Sequence, residues 1–382
     1  MTENYTALYE QHKKAGASFT DFGGWQMPLK YDSELAEHHA VRNAAGLFDL
    51  SHMGEVWVTG PDAAAFLDYA LAGKLSAVAV GKAKYSLICD TDGGIIDDLI
   101  TYRLPAAADG TAKYLVVPNA GNAKVVAGAL QERAAGFDVT VQDASAETSL
   151  IAVQGPAAEP ILLALVPASQ HSLVTELKYY AAVEVGITVN GAVRDLLVAR
   201  TGYTGEDGFE IYVGNLEAAA LWEALLAAGE GSGLIPAGLA ARDSLRLEAG
   251  MPLYGNELSR RVNAYAAGLG PVVSLAKESD FVGKEALAAI KAAGVGSTVG
   301  QKLVGLKGTG RRAARGHYPV LKDGSLIGEV TSGQPSPTLG YPVALAYVDV
   351  EFAEAGTLVD VDLRGKPERF EVVALPFYKR QK

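Results

Sequence analysis

The chain has 382 residues, of which 49% are hydrophobic and 20% charged, and a formal net charge of -11. That length exceeds what one hydrophobic core usually supports, so two or three domains are expected. The acidic balance disfavours nucleic acid or an anionic membrane as partner, and a single cysteine, Cys89, excludes an internal disulfide and a thiolate zinc cluster.

The opening residues, MTENYTALYEQHKK, are too polar for a signal peptide, and no apolar run approaches the roughly 18 residues of a membrane span. A cytoplasmic location is expected. Apolar spacing over 34–47 predicts a helix closed by Gly46. DLSHMGEVWVTG reads as a strand ending at Gly60, and Pro61 opens a helix over DAAAFLDYAL. KYSLICDTDGGIIDDLITYRL is a hairpin turned at Asp90–Gly94, with Asp97 and Asp98 in its second strand. KYLVVPN is a strand, NAKVVAGALQERAAG a helix ended by Gly136, and FDVTVQD another strand. A similar rhythm restarts at TSLIAVQGP and includes a hairpin at Asn190-Gly191, so the two halves look like versions of one plan. LWEALLAAGEG and GLAARDSLRLEAG read as helices. From about Val299 short strands take over, with turns at Asp323-Gly324 and Arg364-Gly365, which predicts a C-terminal β domain. The whole is mixed α+β.

Adjacent carboxylates on a strand face opposite ways, so only one of Asp97 and Asp98 can look into a cleft, and the pair is not an acid/base dyad. Solvation of both at a strand end is the plain alternative, against which stand the apolar neighbours Ile95, Ile96, Leu99 and Ile100. ARTGYTGEDGFEIY combines Gly202, Gly205 and Gly208 with Tyr203 and several acids, which suits close backbone approach ahead of a strand presenting Glu210. Nucleotide-binding spacings are absent here, at GTGRRAARG and at Gly283-Lys284-Glu285. His38 and His39 diverge on a helix and have no third ligand at metal-binding spacing, while His52 follows Ser51 without an evident acid partner. Between Ala286 and Lys322 lie seven Lys/Arg and no acid, so one face of an acidic chain is locally positive. A solvated basic loop explains this equally well.

The segments FGGWQMPLKY, FDLSHMGEV, YSLICDTDGGIIDDLITYR, AVQGP, ARTGYTGEDGFEIY, GLAARDSLRLEAGMPLYGNEL and VTSGQPSPTLGYPVALAYV, in one colinear order, resemble the aminomethyltransferase family, the glycine cleavage T-proteins. The resemblance implies two interlocked ferredoxin-like domains within 1–275 and a β-barrel-like domain over 280–382, in a cloverleaf around a folate channel. It implies transfer of a one-carbon unit from the S-aminomethyl-lipoyl arm of the H-protein to tetrahydrofolate, releasing ammonia, with no metal. Carried over by motif, Asp98 is the catalytic aspartate and Asp97 its structural neighbour. Glu210 is the folate-binding glutamate, its two oxygens suited to the paired N–H donors of the pterin edge. Arg242, Tyr85, Asn119, Tyr203, Met53, Tyr102 and Arg380 fall on other folate-side positions; an ion pair with Asp243 or Glu248 is the alternative for Arg242. One departure is Pro271, where the family often has a channel-side tryptophan. A folate-dependent demethylase or a non-catalytic folate-binding protein on the same scaffold are the alternative functions.

Overall fold

A computed structural model describes residues 3–294 and 300–380. A short helix, α1 (Tyr9–Lys14), precedes a hairpin of β1 (Ser18–Phe22) and β2 (Trp25–Lys30), turned by Gly23 and Gly24 at positive φ. Then come α2 (Glu34–Asn43), capped by Ser33, and β3 (Ala45–Asp49). Here the structure departs from the sequence reading: the helix stops at Asn43, and Gly46, expected to close it, lies within a strand. All of β3 is buried and it is paired along both edges, so tertiary pairing overrides local periodicity. A Cβ on Gly46 would sit 2.5 Å from Val41 Cγ2, which makes glycine the residue that lets the strand return over its own helix.

Two sheets repeat one plan. In the first, β4 (Val56–Gly60), α3 (Ala63–Ala70), β5 (Lys82–Cys89), β6 (Ile95–Leu104), β7 (Ala112–Val117), α4 (Ala123–Arg133) and β8 (Thr140–Asp143) give the strand order β5-β6-β7-β4-β8. The second is built from β9 (Thr148–Gln154), α5 (Ala158–Leu163), α6 (His171–Thr175), β10 (Ala182–Val189), β11 (Ala192–Ala199), β12 (Gly208–Gly214), α7 (Asn215–Gly229) and β13 (Leu234–Pro236), in the order β10-β11-β12-β9-β3-β13. The orders correspond strand for strand, except that β3, from ahead of the first repeat, is inserted between β9 and β13. DLSHMGEVWVTG is a strand only over Val56–Gly60; Ser51–Gly54 form a turn in which Met53 N donates to Leu50 O at 2.9 Å.

By its internal contacts the chain forms two compact units. The first comprises the chain up to Leu67, Leu75–Lys84 and Leu99–Asp243. Its core packs Leu47, Ile151, Val153, Phe209 and Ile211 of the second sheet against Leu221, Trp222 and Leu225 of α7. The second comprises Asp68–Lys74, Tyr85–Asp98 and the chain from Ser244 onward. After α8 (Leu239–Glu248) and α9 (Lys284–Ala293) it closes a six-stranded barrel from β14 (Gln301–Gly308), β15 (Pro319–Lys322), β16 (Ser325–Pro335), β17 (Pro342–Asp349), β18 (Leu358–Asp362) and β19 (Pro367–Val373). Closure leaves no open sheet edge. Leu306, Val320, Val330, Ala346, Val361 and Phe370 fill the interior. A further core in this unit joins Leu87, Cys89 and Ile95 of the hairpin to Leu258, Phe281 and Leu287. The turns read from sequence carry the backbone they require: Asn190-Gly191, Asp323-Gly324 and Arg364-Gly365 all have positive φ at both residues. Among the described residues no helix is long and apolar enough to cross a membrane.

Candidate functional site

The loop between β11 and β12 is clamped before it presents anything. Arg200 donates from Nε to Asp207 Oδ1 at 3.0 Å and from Nη2 to Glu159 Oε2 at 2.9 Å, closing the two ends of the loop on each other. From α2, buried Arg42 donates to Thr204 O at 2.7 Å and to Glu206 Oε1 at 2.8 Å. Inside the loop the Gln154 side chain donates to Thr201 O at 3.0 Å and accepts from Thr204 Oγ1 at 2.9 Å. A Cβ on Gly202 or Gly208 would lie 2.0 and 2.4 Å from that amide, so these two glycines exist to admit it. Gly205, at φ 80°, makes the tight turn.

Held this way, β12 presents Glu210, half-buried and paired in register with Ala199 and Ala152. Thr201 Oγ1 donates to its Oε2 in a short hydrogen bond, and the Tyr102 hydroxyl lies 3.0 Å from Thr201 Oγ1. Burial pushes the Glu210 carboxyl upward in pKa, while the Thr201 hydrogen bond and the charge of Arg242 pull it back.

Arg242 belongs to the first turn of α8. That helix start is fixed by buried Glu37, whose two oxygens accept Tyr31 N at 2.7 Å and Gly238 N at 2.8 Å. The guanidinium lies 4.6 Å from the ring centroid of Tyr203, so two sequence-derived candidates form one cation–π pair. Glu248, the alternative partner, is occupied: it accepts from Ser336 Oγ in a short bond and from Thr338 N at 3.0 Å, tying GLAARDSLRLEAG to SGQPSPTLG. Burial, then the charge of Arg242, holds the His52 imidazole down at about 4, against the opposing pull of Asp49. His52 is therefore neutral, and its neighbour Met53 is half-buried. Gly54 N donates to Pro118 O at 3.1 Å, and a Cβ on Gly54 would meet Ala123 Cβ at 2.7 Å. That contact brings Met53 alongside Asn119, the residue that caps the turn Ala120–Asn122.

In the other unit, strand alternation separates the two aspartates: Asp97 is 0% exposed, whereas Asp98 keeps partial exposure and accepts a hydrogen bond from the Tyr85 hydroxyl at 2.9 Å. Arg380 is half-buried, two residues beyond Tyr378, whose N donates to Glu248 O at 2.8 Å. Pro271 is exposed and opens a short 3-10 turn, Gly270–Val272. Among the described residues no three His, Cys, Asp or Glu are grouped to hold a metal ion. Thr201 and Gln154 were not singled out from sequence; their position inside the ART and AVQGP segments was the available signal.

Comparison with known proteins agrees with these placements. A model of the GCVT N-terminal domain matches residues 8–277, and one of the glycine cleavage T-protein C-terminal barrel domain matches residues 301–379. The chain is 55% identical over 379 residues to an aminomethyltransferase of Corynebacterium aurimucosum, with 99% of each chain covered. It is 56% identical to one of Streptomyces avermitilis, covering 99% of this chain and 98% of the relative. The crystal structure of glycine cleavage system aminomethyltransferase T from Bartonella henselae superposes with a TM-score of 0.88 at 38% identity, covering 98% of both chains. On sequence, fold and barrel together, the chain belongs to the glycine cleavage T-protein family and is an aminomethyltransferase.

Proposed function

We propose that this enzyme takes the one-carbon unit of an S-aminomethyl group, carried on the lipoyl arm of the H-protein, and passes it to tetrahydrofolate, giving 5,10-methylenetetrahydrofolate and ammonia. The observation that carries the reading is Glu210: a half-buried carboxylate, hydrogen-bonded by Thr201 and lying within the field of Arg242. Such a group fits a flat heterocycle bearing paired N–H donors, because two oxygens can accept two parallel hydrogen bonds. Tyr203 and Tyr102 supply aromatic surface, Met53 and Asn119 line the same region, and Arg380 suits an anionic extension of the ligand. Asp98 is assigned the chemistry. Tyr85 fixes its carboxylate, which orients the accepting amine and stabilises positive charge developing on the transferred carbon. The reaction is placed in the cytoplasm.

Ammonia release from aminomethylated H-protein, with and without tetrahydrofolate, tests this directly. Strong dependence on both is expected. Folate-dependent turnover of an N-methylated small molecule without any carrier would favour the demethylase, and folate binding without turnover of either donor would favour the non-catalytic reading.

A further inference from the structure

Glu55, immediately ahead of β4, is 1% exposed, and neither of its carboxyl oxygens has a hydrogen-bond partner. Its backbone is pinned, with N donating to Ser145 Oγ and O accepting from Ala144 N, both at 2.9 Å. The groups facing it are Asp143 of β8 and Tyr212 of β12. Burial first, then the charge of Asp143, pushes its carboxyl up to about 9, so Glu55 is a neutral acid at pH 7 with an O–H to donate. The Tyr212 hydroxyl is likewise buried and unpartnered. Tyr212 stands two residues after Glu210 and hence on the same face of β12. Its ring meets that of Tyr102 edge-on, with centroids 6.1 Å apart.

The direction of the hydrogen bonds follows from proton counting. Thr201 has one hydroxyl proton and gives it to Glu210, so in the 3.0 Å contact Tyr102 is the donor to Thr201. The Tyr102 oxygen is then left to accept, and Tyr212 is the next hydroxyl in line. Beyond Tyr212 is Glu55. One bridging water between the two unmatched ends would satisfy both.

We propose that Glu55 is a positioning residue whose carboxylic O–H terminates a one-way row of donors, running through Tyr212, Tyr102 and Thr201 to the carboxylate of Glu210. Hydroxyls in a row polarise one another, so the terminal acid keeps Glu210 anionic and fixes its orientation for ligand. Ionised Glu55 would become an acceptor and reverse the row. The inference rests on Glu210 being the folate-recognising carboxylate, and the experiment separates the two.

Tetrahydrofolate affinity is measured by calorimetry on the full chain for the native protein, Glu55→Gln, Glu55→Leu, Tyr212→Phe and Glu210→Ala, near neutral pH and again above the Glu55 transition. Glu55→Leu is expected to weaken binding about tenfold and Tyr212→Phe about fivefold, since each breaks the row. Glu55→Gln, which keeps a neutral donor, stays within about twofold and loses the alkaline fall in affinity shown by the native protein. Stability distinguishes this from a packing role. Because the folded-state pKa of Glu55 is raised from 4.5 to about 9, the folded protein holds an extra proton between those values and its stability falls as pH rises through that window. Glu55→Gln removes the fall and is more stable at mildly alkaline pH, with affinity retained. If Glu210→Ala weakens folate while Glu55→Leu and Tyr212→Phe bind as native, the proposal is overturned and the folate reading stands. Loss of affinity in Glu55→Gln equal to that in Glu55→Leu also overturns it. Should Glu210→Ala leave affinity unchanged, infrared titration without folate decides: the Glu210 carboxyl, identified by its loss in Glu210→Gln, must titrate higher in Tyr212→Phe than in the native protein, and an unchanged titration ends the idea.

Discussion

Asp97 and Asp98 show how much one bond along a strand matters. The buried aspartate has no route to a bound molecule, whereas its partly exposed neighbour has Tyr85 to orient it. Asp98→Asn is expected to preserve fold and folate affinity within a few-fold and to lower turnover by roughly 10² or more, the range for loss of a positioned catalytic group. Asp97→Asn should cost less in turnover and instead lower stability by about 1–3 kcal/mol, since it perturbs a buried polar group. Equal effects of both substitutions on the turnover of folded protein would show that the wrong carboxylate has been assigned. For Glu210 the deficit belongs to binding. Glu210→Ala should weaken tetrahydrofolate by about 1.5–3 kcal/mol in calorimetry, the value of charge-assisted hydrogen bonds in a sheltered site.

Among the elements, the loop ahead of β12 does most to place the site. Its ends are joined by Arg200 and Asp207, its middle is held by Arg42, and the Gln154 amide passes through a space that only glycine leaves open. Gly202→Ala should therefore displace Gln154 and lower stability by about 1–3 kcal/mol, as overpacking of a filled site does. Chemical denaturation would measure it, and folate affinity should fall in parallel because Thr201 moves with the loop. Wild-type stability in this variant would mean that Gln154 has another resting place. The hairpins need no such bracing, since Asn190-Gly191 and Asp323-Gly324 hold their turns by local backbone preference.

At the scale of the whole molecule, the acid-free tract from Ala286 to Lys322 is less free in the fold than in the sequence. Arg312 lies 3.3 Å from Glu368, Arg315 donates to Gly333 O at 3.0 Å, Lys322 to Leu358 O at 2.9 Å, and Lys307 sits 4.6 Å from the centroid of the Tyr341 ring. Val295–Val299 of the tract lie outside the described residues. Arg311, Arg312 and Arg315 are nonetheless exposed on an otherwise acidic chain, and a docking role toward an acidic H-protein remains the reading to test. Their replacement by Gln should lower kcat/KM for the aminomethylated carrier mainly at low salt, while the reaction with free aminomethyl-dihydrolipoamide stays near native. Native salt dependence in the triple variant would reduce the tract to a solvated surface. A fall in folate affinity instead would point to the glutamate tail of the folate.

The sequence by itself determined the local elements, the repeat, the final β region and the family. Turns, helices and alternating strands are encoded within a few residues, and long motifs such as GLAARDSLRLEAG keep their order along the chain. It also named most of the candidate site, because Glu210, Arg242, Tyr203, Met53 and Asn119 fall inside those motifs. Only the tertiary structure decided which segments meet. It turned 45–49 from helix end to strand by giving those residues two pairing partners, and it completed the second sheet with a strand from ahead of the first. It drew Arg312 onto Glu368 across 56 residues. It also gathered Glu55, Tyr102, Thr201 and Tyr212 behind Glu210, four residues from four separate segments whose nearest sequence neighbours say nothing of one another. Burial is the physical reason: a polar group removed from water must be satisfied by whatever the fold brings beside it, and that neighbour is set by long-range packing rather than by local preference.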